Sequence, residues 1–133
     1  MAYRILVVDD NKQTASFLAD MLTLLGHNVT LALGSRGAIY RVKQVKPDVI
    51  FMDVNMPGVD GLEVCRYLRR DPATSVVPVV IVSANDEQSH KDAAIAAGAN
   101  YYIVKPAMME EVEKALGLVM SPTAPPNPGS PLS

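Results

Sequence analysis

The sequence has one cysteine, no tryptophan, two phenylalanines and no apolar run long enough to cross a bilayer. A single cysteine excludes an internal disulfide framework and any cysteine-rich zinc or iron–sulfur centre. The apolar run Ile5 to Val8 is stopped at once by two aspartates, and Val76 to Val82 is short and interrupted by Pro78. Neither has the length of a membrane span or the form of a secretory leader, so the expectation is a cytoplasmic protein. A basic excess is missing as well. Twelve Lys and Arg stand against 14 Asp and Glu, for a formal charge of -2. That excludes the broad positive field of an electrostatic nucleic-acid or anionic-membrane binder, though not a localised contact.

What is present fits one folded unit. The 133 residues are 49% hydrophobic and 20% charged, enough for a single domain with a sizeable core. The composition breaks at Ser121: every charged side chain lies before it, and half of the ten prolines lie in the last twelve residues. The expected domain is therefore residues 1–120. The segment 121–133, SPTAPPNPGSPLS, is expected to be a flexible proline-rich tail or a truncated linker, because it has too little apolar surface to offset its ordering entropy. It is compatible with a free-standing domain or with one cut from a longer chain.

Short β-rich runs alternate with amphipathic stretches. Ile5–Val8, Asn28–Leu31, Asp48–Met52, a segment starting near Val79, and Asn100–Val104 read as strands; Pro78 argues against an earlier start for the fourth. Helical spacing appears over Lys12–Leu25, Gly34–Val45, Leu62–Arg70, Asp86–Ala97 and Met108–Met120, with Gly26, Pro47 and Gly98 as stops. Pro57-Gly58 and Asp60-Gly61 mark a loop before the third helix. Five β-α units predict an α/β fold: a doubly wound parallel sheet with helices on both faces and right-handed crossovers.

In such a sheet, ligands sit beyond the carboxyl ends of the strands. Asp9 and Asp10 follow the first strand, Asp53 the third, Ser83 the fourth and Lys105 the fifth. Three carboxylates, a hydroxyl and an ammonium thus converge on one rim. Clustered carboxylates repel unless protonated or neutralised, and a hard divalent cation such as Mg²⁺ neutralises them through oxygen. With that cation, an Asp53 oxygen can attack a phosphoryl group, Lys105 can neutralise the transferred oxygens, and Ser83 can donate to one of them. The bland alternative is an acidic rim of polar strand ends.

The ordered set LVVDDN, DVNMPGVDG, SAN and KP, with Ser83 30 positions after Asp53 and Lys105 22 positions after Ser83, resembles the response-regulator receiver domain over residues 3 to 120. The resemblance implies a flavodoxin-like sheet of strand order 2-1-3-4-5. It implies a phosphoacceptor of a two-component system, not a turnover enzyme, with Asp53 taking the phosphoryl group. Asp10, Asp53 and the Asn55 backbone carbonyl resemble direct Mg²⁺ ligands, and Asp9 one acting through water. Ser83, the Ala84 amide and Lys105 resemble the phosphate-binding groups. Ser83 with Tyr102 resembles the switch pair, and Pro106 a structural proline after a cis bond. Implied partners are a sensor histidine kinase or a histidine phosphotransfer protein, an unknown downstream protein, and a second copy on phosphorylation, through the fourth helix, fifth strand and fifth helix. No nucleic-acid contact is implied.

Two competing functions fit parts of the same pattern. A Mg²⁺-dependent phosphohydrolase would want a second carboxylate where Asp53-Val54-Asn55 has asparagine. A phosphorylation-independent adaptor would retain the rim for packing alone. Cys65 reads as a core thiol, His27 and His90 as surface residues, and Arg66, Arg69 and Arg70 as a solvated helix end. Asn55 and Asn85 resemble the positions that tune phosphoryl lifetime, and neither is a strong general base. Asn85→Glu is therefore expected to hasten loss of the phosphoryl label once the donor is removed; faster loss from wild type would contradict this.

Overall fold

The structure, a computed structural model, describes residues 2–53 and 61–120. The predicted loop residues Pro57, Gly58 and Asp60, together with Asn55 and the tail 121–133, lie outside the described residues. The elements in chain order are β1 (Arg4–Asp9), α1 (Lys12–Leu24), β2 (Asn28–Leu33), α2 (Ser35–Val45), β3 (Val49–Asp53), α3 (Gly61–Arg70), β4 (Val79–Ser83), α4 (Gln88–Ala96), β5 (Tyr101–Val104) and α5 (Met109–Val119). The strands form one parallel sheet in the order β2-β1-β3-β4-β5. None of the described helices is long and apolar enough to cross a membrane.

Strands covered on both faces need no polar alternation, and β3 and β4 are buried at every position. Because side chains alternate across a strand, each one feeds two cores. Ile5, Val7, Val49, Phe51, Val80, Val82, Tyr101 and Ile103 pack beneath α1 and α5. Leu6, Val8, Ile50, Met52, Val79, Ile81 and Tyr102 pack beneath α2, α3 and α4. The buried side of α1 (Ala15, Leu18, Met21, Leu22) follows the helical period read from the sequence, but Phe17 stands outside it, 64% exposed. Asn11 caps α1, its Oδ1 accepting from the N–H groups of Gln13 (2.9 Å) and Thr14 (3.2 Å). β4 begins after Pro78, whose carbonyl still serves the sheet by accepting the Ile50 N–H at 2.9 Å.

Two expectations need correction. Arg69 is no solvated helix end. Its guanidinium donates to five acceptors: the carbonyls of Gly98 (2.9 Å), Val77 (2.7 Å), Ser75 (3.3 Å) and Thr74 (3.4 Å), and Asn100 Oδ1 (2.8 Å). Asn100 Oδ1 also accepts the Val79 N–H at 2.9 Å, so one cation ties the end of α3 to the starts of β4 and β5. The side chain runs so close to Gly98, itself at φ +111°, that a Cβ there would lie 2.5 Å from Arg69 Cγ. The spacing of Arg66, Arg69 and Arg70 placed them on a helix end; no local signal marks the distant carbonyls that only Arg69 reaches.

His27 is likewise more than a surface residue. Its ring stacks on Tyr3 at 5.2 Å and its Nδ1 accepts the Tyr3 N–H at 3.1 Å. Partial burial lowers its pKa, consistent with an acceptor nitrogen that must stay unprotonated. Cys65 is fully buried and free, and burial raises its thiol pKa, as suits a core residue.

Arg69→Met leaves the carbonyls of Gly98 and Val77 without their donor, and is expected to destabilise the fold by about 2–4 kcal/mol. Urea unfolding should show a lower midpoint at unchanged slope. Arg69→Lys keeps the charge but not the planar fork, and should recover less than half of the loss.

Candidate functional site

Parallel register brings the strand ends into line. Asp9 closes β1 and Asp53 closes β3, while Ser83 closes β4 and pairs with Val104, the last residue of β5. Lys105 follows directly, its N–H donating to the Ser83 carbonyl at 2.7 Å. Asp9 and Asp53 both have the strand parity of the α1/α5 face, as does Lys105 two residues beyond Ile103.

The predicted acidic rim is present. Carboxylate oxygens of Asp9, Asp10 and Asp53 lie within 4.8 Å of one another, two of these residues buried and Asp10 exposed. Lys105 Nζ reaches Asp53 Oδ2 at 3.0 Å. Asp9 is oriented from behind by the Asn11 N–H, which donates to its Oδ1 at 3.0 Å. Burial foremost lifts the Asp9 carboxyl above its ordinary pKa, and the neighbouring Asp53 adds to the rise; the Asn11 N–H and the Lys105 charge oppose it.

That raised pKa states the electrostatic problem of the site: among the described residues, the Lys105 ammonium does not balance three clustered carboxylates, two of them buried. An all-oxygen donor set of this charge and spacing fits a hard divalent cation. Asn55, the fourth ligand implied by resemblance, lies outside the described residues.

Ser83 is fully buried, and its Oγ accepts the Asn85 N–H at 3.1 Å. Ala84 is exposed at the rim. The Tyr102 ring is buried on the α2/α3/α4 side, and its hydroxyl donates to the Asn85 carbonyl at 2.7 Å. Asn85 thus joins Ser83 to Tyr102 through its own peptide groups, while its Oδ1 accepts the Glu87 N–H at 2.9 Å. Reading Asn85 only as a lifetime position missed this joint, because backbone bonding leaves no mark on residue type. The Lys105–Pro106 bond is cis, as the resemblance implied.

Beside the rim opens an apolar cleft of about 370 Å³. Phe17, Leu18 and Met21 of α1 form one wall and Pro106 and Ala107 the other, while Val7, Phe51 and Val82 floor it and Asp9, Asp53 and Lys105 lie at its edge. Phe17 shares the helical spacing of Leu18, Met21 and Leu22, yet it stands at the cleft opposite Pro106 and Ala107, which follow β5.

A family model for the response regulator receiver domain matches residues 5–117. The chain is 36% identical over 118 residues to the protein PilH of Pseudomonas aeruginosa, covering 89% of this chain and 98% of PilH. It is 37% identical over 125 residues to the response regulator MprA of Mycolicibacterium vanbaalenii, covering 94% of this chain but 53% of MprA, so it spans about half the length of that relative. Among solved structures, the chemotaxis response regulator CheY4 of Vibrio cholerae aligns with a TM-score of 0.84 at 28% identity, covering 90% of this chain and all of that one. The receiver domain of a sensor histidine kinase from Pseudomonas aeruginosa PAO1, with a magnesium ion coordinated in its active-site cleft, aligns with a TM-score of 0.82 at 29% identity, covering 91% of this chain and all of that one.

The repulsion at the rim gives a two-part expectation. Asp10→Asn should raise the melting midpoint of metal-free protein, because it removes one of three crowded charges. The same change should erase the rise that millimolar MgCl₂ gives wild type, which reaches about 2.7 kcal/mol at a hundredfold excess over Kd. Protons and cation compete for the site, so that rise should shrink as pH falls through the raised Asp9 titration. Thermal melts with and without EDTA measure all three.

Proposed function

The chain belongs to the response regulator receiver domain family and so serves as a phosphoaccepting signalling domain, and we propose that Asp53 is the acceptor. A receiver is itself altered by the reaction and is not a conventional turnover enzyme. The observation that carries the residue assignment is the pairing of Asp53 with Lys105 at 3.0 Å, in a rim it shares with Asp9 and Asp10. The proposed donor is the phosphohistidine of a sensor histidine kinase or a histidine phosphotransfer protein. Residues 1–120 form the proposed receiver unit and 121–133 a linker or tail.

In the proposed reaction an Asp53 carboxylate oxygen attacks phosphorus. The Asp53 O–P bond forms as the P–N bond to the donor imidazole breaks, and the imidazole leaves with the electron pair. Such transfer depends on position and charge stabilisation more than on a proton relay. Mg²⁺, held by Asp10, Asp53 and the Asn55 carbonyl with Asp9 acting through water, would supply the positive charge that the three carboxylates require. Lys105 moves its contact from the Asp53 oxygen to the transferred phosphoryl oxygens. Ser83 Oγ–H and the Ala84 N–H donate to the same group.

The output follows from what Ser83 gives up. Turning its hydroxyl toward a phosphoryl oxygen releases the Asn85 N–H, and Asn85 also holds the Tyr102 hydroxyl. The β4–α4 connection and the Tyr102 ring therefore rearrange together. The surface of α4, β5 and α5 changes for a downstream protein or a second copy of the chain, and phosphorylation shifts the balance between the two arrangements.

The apolar cleft beside Asp53 suits the protein donor, with Phe17 at its mouth positioned to meet a donor's apolar side chains. Intact-mass analysis with Mg²⁺ and either acetyl phosphate or a phosphorylated histidine phosphotransfer protein tests the reading. Wild type is expected to gain one hydroxylamine-sensitive phosphoryl group from both donors, and Asp53→Ala none. Phe17→Asp should slow transfer from the protein donor by tenfold or more, roughly the loss of one buried aromatic contact, while leaving acetyl phosphate unaffected. An adduct persisting in Asp53→Ala would overturn the acceptor assignment, and equal slowing with both donors would overturn the docking role of Phe17.

A further inference from the structure

Charge is not spread evenly over this chain. From Ser35 to Lys46, α2 and its C-cap carry Arg36, Arg41, Lys43 and Lys46 with no carboxylate among them. α3, which packs beside α2, adds Arg66, Arg69 and Arg70 against Glu63 alone. The chain as a whole has a net charge of -2, so the remainder is distinctly acidic; α5 alone bears Glu110, Glu111 and Glu113.

Part of this basic charge is used within the fold. Arg69 is bound to carbonyls, Arg66 pairs with Glu63, and Lys43 pairs with Asp71 at 3.5 Å while lying 5.9 Å from the centre of the Tyr67 ring. Arg36, Arg41, Lys46 and Arg70 are exposed, and none has an ion-pair partner among the described residues.

Helix electrostatics explain some of these and not others. A cation in the last turn is favourable, which accounts for Lys43 and Arg70. Arg36 stands in the first turn of α2, where the positive end of the helix dipole opposes it, and Arg41 at mid-helix gains nothing from either end. One turn from Arg36 and from Lys43, Tyr40 holds its ring 67% exposed. A large aromatic among unpaired arginines is the composition of a protein contact surface.

We propose that the outward face of α2 is a docking surface for an acidic segment of a partner protein, laid along the helix from Arg36 to Lys46 over Tyr40, with Arg36 and Arg41 flanking the ring. Charge complementarity selects the occupant. A polypeptide is favoured over nucleic acid because the face is one short helix long, about 16 Å, and its α3 flank carries Glu63 and Asp71 among the cations. The face lies across the sheet from the Asp53 side chain. Binding there needs no phosphoryl group, and it supplies a second contact alongside the switching surface.

Fluorescence anisotropy of the full chain with a labelled (Glu-Glu-Leu)₄ peptide tests this, with (Lys-Lys-Leu)₄ and a 20-nucleotide single-stranded RNA as competing probes. The acidic peptide is expected to bind at 20 mM NaCl and to weaken about tenfold by 200 mM, as screened surface charges do. Arg36→Glu with Arg41→Glu should weaken it about tenfold again. Arg36→Ala with Arg41→Ala serves as the milder pair, and Tyr40→Ala should weaken binding at every salt concentration. Phosphorylation by acetyl phosphate should be unchanged in all of these variants, showing them folded and leaving the acceptor assignment untouched. No binding of the acidic peptide at low salt, undiminished binding by either arginine pair, or tighter binding of RNA would each overturn the proposal.

Discussion

Everything at the functional rim depends on holding three carboxylates closer together than their charges favour. The backbone does this by register. β1 and β3 are adjacent parallel strands that end level, so Asp9 and Asp53 emerge side by side, with Asp10 one residue further on. The sheet, packed on both faces with Ile, Val, Leu and Phe, makes that placement rigid: the strands cannot slip without turning their apolar side chains outward. Hydrophobic burial thus sustains an electrostatically costly site, and the excess negative charge is what makes the site receptive to a cation. Lys105 offsets only part of it.

The same sheet divides the chemistry from its consequence. The Asp53 side chain belongs to the α1/α5 face, whereas Tyr102 is buried on the other. In the proposed switch, communication runs around the sheet's carboxyl edge, where Ser83 and Asn85 stand. Each link there is a single hydrogen bond to one peptide unit, from Asn85 N–H to Ser83 and from Tyr102 to the Asn85 carbonyl. Bonds of this kind contribute about 1 kcal/mol each, a scale on which one added phosphoryl group can change the preferred arrangement.

Most of the fold was legible because its signals are local. Alternating apolar runs and helical periods located the ten elements of the described residues, and the residues ending β1, β3 and β4, with Lys105 after β5, announced the rim. The order of the strands came from resemblance, since periodicity does not say which strands are neighbours. At Arg69 and Asn85, sequence reasoning fell short because the contacts run through the main chain. Arg69 looked like one of three equivalent helix-end cations, and Asn85 like a position that tunes phosphoryl lifetime, until the carbonyls and amides they meet were placed. Phe17 fits the apolar period of α1, yet it stands open because the chain after β5 leaves a cleft there.

The Arg69 lock has an implication for how this sequence can drift. Four of its five acceptors are main-chain carbonyls, which every amino acid possesses. Residues 75 and 77 can therefore change identity without surrendering their bonds to the guanidinium, whereas Thr74 is also held by its buried hydroxyl, which donates to the Leu68 carbonyl at 2.7 Å. Position 98 has no such freedom, for any side chain there meets Arg69 itself, and position 100 is bound through an amide oxygen that few residues supply. The constraint set by the guanidinium thus falls on three sites far apart in the chain, so that 69, 98 and 100 are expected to evolve as a set.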